Sequence, residues 1–192
     1  MIVKVCCDLR WKMENLSIRL ANLLLKKHCI EESMHSIYQY GLQMILEIGC
    51  SFITSIIICC LCGMIVEGIV FFSIFIPLRS YLGGFHMKSY GACFICSSVT
   101  LMGILVLVKL FSPSPIVSWM LLIVSMTIIL WKAQKEKVLD DEGRYFYPKI
   151  FVISVVVIMI CIAFSILGDY SMLFLLACTN ALIATSKIME RK

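Results

Sequence analysis

Charged residues are scarce in this sequence, and their scarcity excludes most soluble globular folds. Aspartate, glutamate, lysine and arginine make up 15% of the 192 residues, whereas soluble domains usually contain about a quarter. Hydrophobic residues make up 61%, and the mean hydropathy is +0.98. The apolar residues occur in blocks long enough to cross about 30 Å of hydrocarbon as helices, which takes roughly 20 residues each. The composition therefore predicts an integral membrane protein.

Other classes of protein are excluded by patterns that are missing. No alternating ten-residue pattern indicates a membrane barrel. The first 30 residues interrupt their apolar pattern with six basic residues, unlike a cleavable signal peptide. Most of the eleven cysteines lie in apolar blocks, where a free cysteine acts as a small hydrophobic residue and no secreted disulfide framework is expected. The net charge of +5 lies mainly in short connections, which favours membrane orientation over binding of nucleic acid.

Residues 8–27 have the pattern of an amphipathic helix. Apolar residues recur there at three- and four-residue spacing, at Leu9, Met13, Leu16, Leu20, Leu23 and Leu24. The charged residues lie at other positions, away from this apolar face. We expect a helix lying on the membrane surface, and the alternative is a helix packed on the rest of the protein.

Six apolar blocks follow and predict an all-α, polytopic bundle of about six transmembrane helices. They cover residues 42–62, 64–78, 90–111, 115–131, 150–167 and 170–187. We expect one membrane-embedded domain over residues 1–192, in which residues 1–40 form the amphipathic segment and residues 42–187 form the bundle.

The basic residues predict the orientation of this bundle. The short connections at Gly63, at 112–114 and at 168–169 contain none. Basic residues instead lie in the amino terminus, the 79–89 loop, the 132–149 loop and the carboxyl tail. Six spans place these four segments on one side, and the positive-inside rule makes that side cytoplasmic. Both termini are therefore expected in the cytoplasm.

The segment RSYLGGFHMKSYGACFICSS, residues 79–98, contains a candidate catalytic pair, His86 and Cys93. A histidine can act as the base that generates a nucleophilic thiolate. In one continuous helix the two residues would lie about 10.5 Å apart along the axis, too far for a hydrogen bond. We therefore expect a break in the helix, because Gly83 and Gly84 permit tight turns and Ser89 is a plausible N-cap.

A new helix would then begin at Tyr90, with Cys93 in its first turn. The positive end of the helix dipole and the unpaired N–H groups there would stabilise a thiolate. The same N–H groups could bind an oxyanion. Arg79 and Lys88 add positive potential nearby.

The pattern R-x(3)-GG-x-H-x(6)-C, present as Arg79, Gly83, Gly84, His86 and Cys93, resembles the signature of the AgrB family. These are membrane cysteine endopeptidases of Gram-positive quorum-sensing systems. The similarity extends over most of the chain, with its amphipathic amino terminus and later charged loop. One departure is that Ala133–Leu139 reads AQKEKVL, without the prolines common in that loop of the family.

The resemblance implies processing of an AgrD-type propeptide in the cell membrane. Cys93 matches the family's nucleophile and His86 its activating histidine, while Arg79 and Gly84 match further motif positions. An enzyme-bound thioester would pass to a cysteine or serine within the propeptide, which gives a thiolactone or lactone autoinducing peptide. A homodimer is also implied. Acyl transfer of this kind requires no cofactor or metal.

Two other functions remain open on sequence grounds. A small transporter or peptide exporter without proteolytic activity is one, although the charges gather in loops rather than at the midplane of the bilayer. A non-enzymatic scaffold is the other, and it would tolerate Cys93→Ser.

Several polar residues in the spans have simpler explanations. Zinc or redox sites at Cys93 and Cys96, or at Cys59, Cys60 and Cys62, are not expected, because these cysteines have apolar neighbours and no further ligands. Acidic residues in a membrane often indicate function, but Glu67 and Asp169 lie at span edges and are not expected to be catalytic. Thr179 and Asn180 are expected to form hydrogen bonds between helices.

Overall fold

The computed structural model describes residues 2–27, 30–82, 90–111, 114–139 and 141–189, and in this part of the chain it is helical without strands. Seven α-helices follow one another, with a short 3-10 helix, Glu32–Met34, before the second. They are α1 (Ile2–Lys26), α2 (His35–Cys62), α3 (Ile65–Leu82), α4 (Tyr90–Leu110), α5 (Pro115–Leu139), α6 (Asp141–Leu167) and α7 (Tyr170–Met189). The predicted all-α fold is confirmed.

Five of these helical segments are long and apolar enough to cross a membrane. They are Glu32–Cys62, Ile65–Leu82, Pro115–Val138, Gly143–Leu167 and Tyr170–Met189. A shorter apolar helical stretch, Phe94–Leu110, lies in α4. Together with α4, these segments correspond to the six blocks expected from the sequence. The chain is therefore a polytopic α-helical membrane protein.

Short turns connect α2 to α3 and α6 to α7, as the sequence predicted. Each turn contains a glycine with positive φ, Gly63 at 68° and Gly168 at 75°, a conformation that residues with a Cβ rarely adopt. The Asp169 carboxylate then accepts a hydrogen bond from the Met172 backbone N–H at 3.1 Å. Asp169 thus caps the amino terminus of α7, which explains its presence at the edge of a span.

The prediction of a loop over residues 132–149 was wrong, because the residues on both sides of residue 140 are helical. α5 continues to Leu139 and α6 already begins at Asp141. The residues of AQKEKVL are mostly good helix formers. The charged residues therefore follow the apolar span of α5 without ending the helix itself. The corner is tight at Gly143, where an added Cβ would lie 2.5 Å from the backbone carbonyl of Glu136.

Contacts along the chain divide it into two compact units. The first comprises Met1–Ile58 and Met87–Leu101, and the second comprises Cys59–His86 and Met102–Lys192. In the first unit, the apolar line predicted for α1 is exposed at Leu16, Leu20 and Leu23, whereas Ser17 and Ala21 are fully buried. An exposed row of leucines on α1 favours the predicted membrane-surface helix over complete packing on protein.

In the second unit, α7 is the central helix. It packs on α3, α5 and α6, and 67% of its span is buried, against 33% or less for the other four candidate spans. Every residue from 172 to 180 is buried, as expected for a helix that is apolar on all faces. Two hydrophobic clusters include residues of α7 with those of α3, α5 and α6, one around Leu173 and Leu176 and the other around Ile183 and Ala184.

Two buried polar side chains of α7 donate to carbonyls of their own helix. The Thr179 hydroxyl donates to the Leu175 carbonyl and the Asn180 amide donates to the Leu176 carbonyl, each at 2.8 Å. These bonds lie within α7, so the expectation that both side chains donate between helices was wrong. The i−4 carbonyl lies within reach of a short polar side chain in any helix, so a donor needs no neighbour to be satisfied.

Substitution of Gly143 tests the α5–α6 corner. Gly143→Ala should destabilise the protein by about 1–3 kcal/mol, because the added methyl group overlaps backbone that cannot rotate away. The measurement is the midpoint of thermal unfolding in detergent micelles. Gly103→Ala in α4 is the matched control, because an added Cβ there meets nothing within 4 Å. An unchanged midpoint for Gly143→Ala would contradict the packing at the corner.

Candidate active site

Cys93, the predicted nucleophile, lies in α4, whose described part begins at Tyr90. Residues 83–89 lie outside the described residues, so the helix start predicted at Tyr90 stays a prediction. A helix that starts there would give Cys93 backbone N–H groups without helical partners and the positive end of the dipole, which favour a thiolate or an oxyanion.

The rest of the predicted site divides between described and undescribed residues. The side chain of Cys93 and all of Gly83, Gly84, His86 and Lys88 lie outside the described residues. The pairing of His86 with Cys93 thus stays a prediction. Arg79 is described, in the second unit, whereas Cys93 lies in the first.

Arg79 lies in the last turn of α3, half-buried. Its guanidinium carbon lies 5.4 Å from the centroid of the Phe75 ring, one turn earlier on the same helix. This is within the range of a cation–π contact. A cation at this position also complements the negative end of the helix dipole. Arg79 is therefore held against α3 immediately before the motif segment 83–89.

The carboxyl end of α3 is fixed by a buried lysine from α7. The Lys187 ammonium donates to the backbone carbonyl of Leu82, the last residue of α3, at 2.5 Å. It also lies 2.7 Å from a carboxylate oxygen of Glu136 on α5. The Lys187 side chain is 6% exposed and that of Glu136 is 26% exposed. We name Leu82, Glu136 and Lys187 the α3 anchor.

Aromatic contacts hold the same end of α3 against α6. The Tyr81 and Phe146 ring centroids are 5.7 Å apart. The Lys149 ammonium lies 4.0 Å from the Tyr145 ring centroid and 5.3 Å from that of Tyr81. Backbone and side chain in the last described turn of α3 thus contact α6 and α7 directly. α5 is joined to this arrangement through the pair of Glu136 with Lys187.

Sequence reasoning missed the α3 anchor. Lys187 was counted only as one basic residue of the carboxyl tail, and Glu136 lies between two lysines in a segment expected to be a loop. The predicted topology offered one indication, because it places the end of the last span and the 132–149 segment on the same side of the membrane. An ion pair between residues of these two segments was therefore possible, but the periodicity of the sequence does not identify which residues form it.

The structure describes the surroundings of Glu67 and Cys59, two further residues singled out from the sequence. Glu67 lies in the first turn of α3, where a carboxylate complements the helix dipole. Buried Cys59 packs against Gly68, whose added Cβ would overlap the Cys59 sulfur. Among the residues that the structure describes, no group of three histidine, cysteine or acidic side chains is placed to hold a metal ion.

Comparison with known proteins identifies one family. Residues 17–188 match the model of AgrB, accessory gene regulator B, which is nearly the whole chain. No curated protein and no solved structure matches the chain.

Proposed function

This chain belongs to the AgrB family, and from that membership we propose that it is a membrane cysteine endopeptidase acting on an AgrD-type propeptide. The family supports a role in processing a quorum-sensing propeptide. The proposed reaction cleaves off the carboxyl-terminal segment of the propeptide and promotes closure of a ring. The observation that carries the proposal is the family match over residues 17–188, a range that includes the motif with His86 and Cys93.

In the proposed first half-reaction, His86 takes the proton of the Cys93 thiol, and the sulfur attacks the carbonyl carbon of the scissile peptide bond. The N–H groups at the start of α4 donate to the resulting oxyanion. The tetrahedral intermediate then loses its C–N bond while His86 returns the proton to the leaving amine. The products are a free carboxyl-terminal fragment and a thioester on Cys93.

In the proposed second half-reaction, a thiol within the bound propeptide attacks the thioester carbonyl. The Cys93–acyl bond breaks, the sulfur of Cys93 leaves and regains a proton, and a thiolactone forms. A serine in place of that propeptide cysteine would give a lactone. Each step is an acyl transfer in which no electrons are gained or lost, so no oxidant or reductant is consumed.

We also propose that the α3 anchor lies at the cytoplasmic face. Lys187 contacts Leu82 and Glu136, and Lys149 contacts Tyr81, so the ends of α3, α5 and α7 and the start of α6 lie together. These are the helix ends that contain Arg79 and most of the other basic residues of the second unit. Basic residues concentrated at one membrane face favour the cytoplasm. The homodimer implied by the family resemblance stays a prediction, since no contact within a single chain tests it.

Replacement of Cys93 tests the proposed activity. Cys93→Ala and Cys93→Ser should abolish cleavage of a co-expressed AgrD-type propeptide, because neither side chain supplies a thiolate. The measurement is mass spectrometry of the propeptide and its fragments. Cys96→Ala is the matched control, since Cys96 is exposed on the same helix. This variant should cleave the propeptide at the wild-type rate. Cleavage retained in both Cys93 variants would contradict the role of Cys93 as the nucleophile.

Labelling of introduced cysteines tests the orientation. In a chain lacking native cysteines, a membrane-impermeant maleimide added to intact cells should label positions 114 and 169 but not positions 84 and 140. Labelling after the cells are opened serves as the control for reactivity at all four positions. Labelling of position 140 in intact cells would overturn the cytoplasmic placement of the α5–α6 corner.

A further inference from the structure

We propose that Trp131, Lys132 and Lys135 on α5 bind the phosphate headgroup of an anionic phospholipid. We name these three residues the α5 headgroup site. All three lie in the second unit, among residues that the structure describes. The proposal concerns the lipid around the protein, so it does not depend on the proposed cleavage reaction.

The α5 headgroup site continues a side of α5 that is turned away from the protein. The inner side of α5 is buried in the two hydrophobic clusters, through Leu122, Met126, Ile129 and Ala133. The opposite side has apolar residues that are each more than half exposed, namely Ile116, Met120, Ile123, Val124 and Trp131. Because Pro115–Val138 is long and apolar enough to cross a membrane, this exposed side faces the acyl chains of lipids.

At Trp131 the sequence of α5 changes from apolar to basic. Residues 131–137 read WKAQKEK. Tryptophan is enriched at the membrane–water interface, where its ring lies at the level of the lipid headgroups, and the Trp131 side chain is 62% exposed. The long side chains of Lys132 and Lys135 follow directly, and they can extend from the interface towards the phosphates. The site therefore lies at the depth of the headgroups.

Both ammonium groups of the site lie beside the exposed indole. The Lys132 ammonium is 5.9 Å and the Lys135 ammonium is 6.0 Å from the centroid of the Trp131 ring, at the limit of a cation–π contact. Two positive charges are thus gathered around one ring on the lipid-facing side. Orientation of the chain requires positive charge at this membrane face, but it does not require two cations around one indole.

The neighbouring charged residues of α5 are turned to other helices. Glu136 follows Lys132 by four residues, a spacing that favours an ion pair within a helix. Its carboxylate oxygen nevertheless lies 2.7 Å from the Lys187 ammonium on α7, and α5 contains no second acidic residue. The Lys137 ammonium lies 4.4 Å from the centroid of the Tyr147 ring on α6. Lys132 and Lys135 are therefore the lysines of α5 that lie beside the lipid-facing indole.

An anionic phospholipid matches both parts of this surface. Its phosphate oxygens accept charge-assisted hydrogen bonds from ammonium groups, and its acyl chains cover the apolar side of α5 that leads to Trp131. A zwitterionic headgroup also has a phosphate, but it carries a cation that the two lysines repel, so a net negative headgroup is favoured. An acidic peptide in solution would match the charge of the lysines but not the adjoining apolar side.

Quenching of tryptophan fluorescence by brominated lipids tests the site. The full chain keeps Trp131 as its only tryptophan after Trp11→Phe and Trp119→Phe, and it is reconstituted in phosphatidylcholine vesicles. The quencher is phosphatidylglycerol or phosphatidylcholine with acyl chains brominated near the headgroup, at equal mole fraction. The relative binding constant at Trp131 should favour phosphatidylglycerol by at least about fivefold, which corresponds to one contact between a lysine and an anionic lipid. Equal quenching by the two lipids would overturn the proposal.

Two double variants separate the site from the net charge of the protein. Lys132→Gln combined with Lys135→Gln should make the quenching by the two lipids equal. Lys137→Gln combined with Lys149→Gln is the matched control, because it also removes two charges, from ammonium groups that lie over rings of α6. This control should keep the preference for phosphatidylglycerol, and the same loss in both double variants would contradict a defined site. If the first variant fails to fold, Lys135→Gln alone should lower the preference, and an unchanged preference would contradict the site.

A chain with Trp119 as its only tryptophan is the control for the position of the fluorophore. Trp119 lies near the other end of α5, where it packs against the hydrophobic cluster around Leu173. Its fluorescence should be quenched equally by the two brominated lipids. A preference for phosphatidylglycerol at Trp119 as large as that at Trp131 would mean that the whole protein attracts anionic lipid, and it would overturn the α5 headgroup site.

Discussion

The buried ammonium of Lys187 is the contact on which the arrangement of α3, α5 and α7 at one end of the second unit depends. A cation removed from water must be compensated by an opposite charge and by acceptors with good geometry. Glu136 and the Leu82 carbonyl meet that requirement from two different helices. Their bonds hold Leu82 of α3 and Glu136 of α5 beside Lys187 of α7. The close approach of Gly143 to the Glu136 backbone then brings the start of α6 to the same place.

The central position of α7 makes this constraint effective. Because α7 is buried by α3, α5 and α6 over most of its length, its apolar side chains set the lateral packing of the unit. Apolar contacts specify a register less sharply than directed polar bonds do. The Asp169 cap at one end of α7 and Lys187 at the other supply directed bonds. Between them, the hydroxyl of Thr179 and the amide of Asn180 donate within α7 and leave its faces free to pack.

Sequence reasoning predicted features that depend on local chemistry. Apolar block length predicted the spans, and glycines predicted the turns at Gly63 and Gly168. It failed where tertiary contacts or longer helices decided the outcome. Charge in residues 132–149 suggested a loop, although those residues favour helix. The Glu136–Lys187 pair was missed because 17 basic and 12 acidic residues allow many pairings and periodicity selects none of them.

The reaction proposed from family membership is an acyl transfer whose intermediate is a thioester. The most direct measurement is intact-protein mass spectrometry of the wild type, quenched in acid soon after mixing with propeptide. The account predicts a transient adduct whose mass equals the propeptide without its released carboxyl-terminal fragment. Peptide mapping should place the adduct on Cys93, and hydroxylamine should remove it. Propeptide cleavage with no adduct at any time, or with an adduct on another residue, would contradict the account.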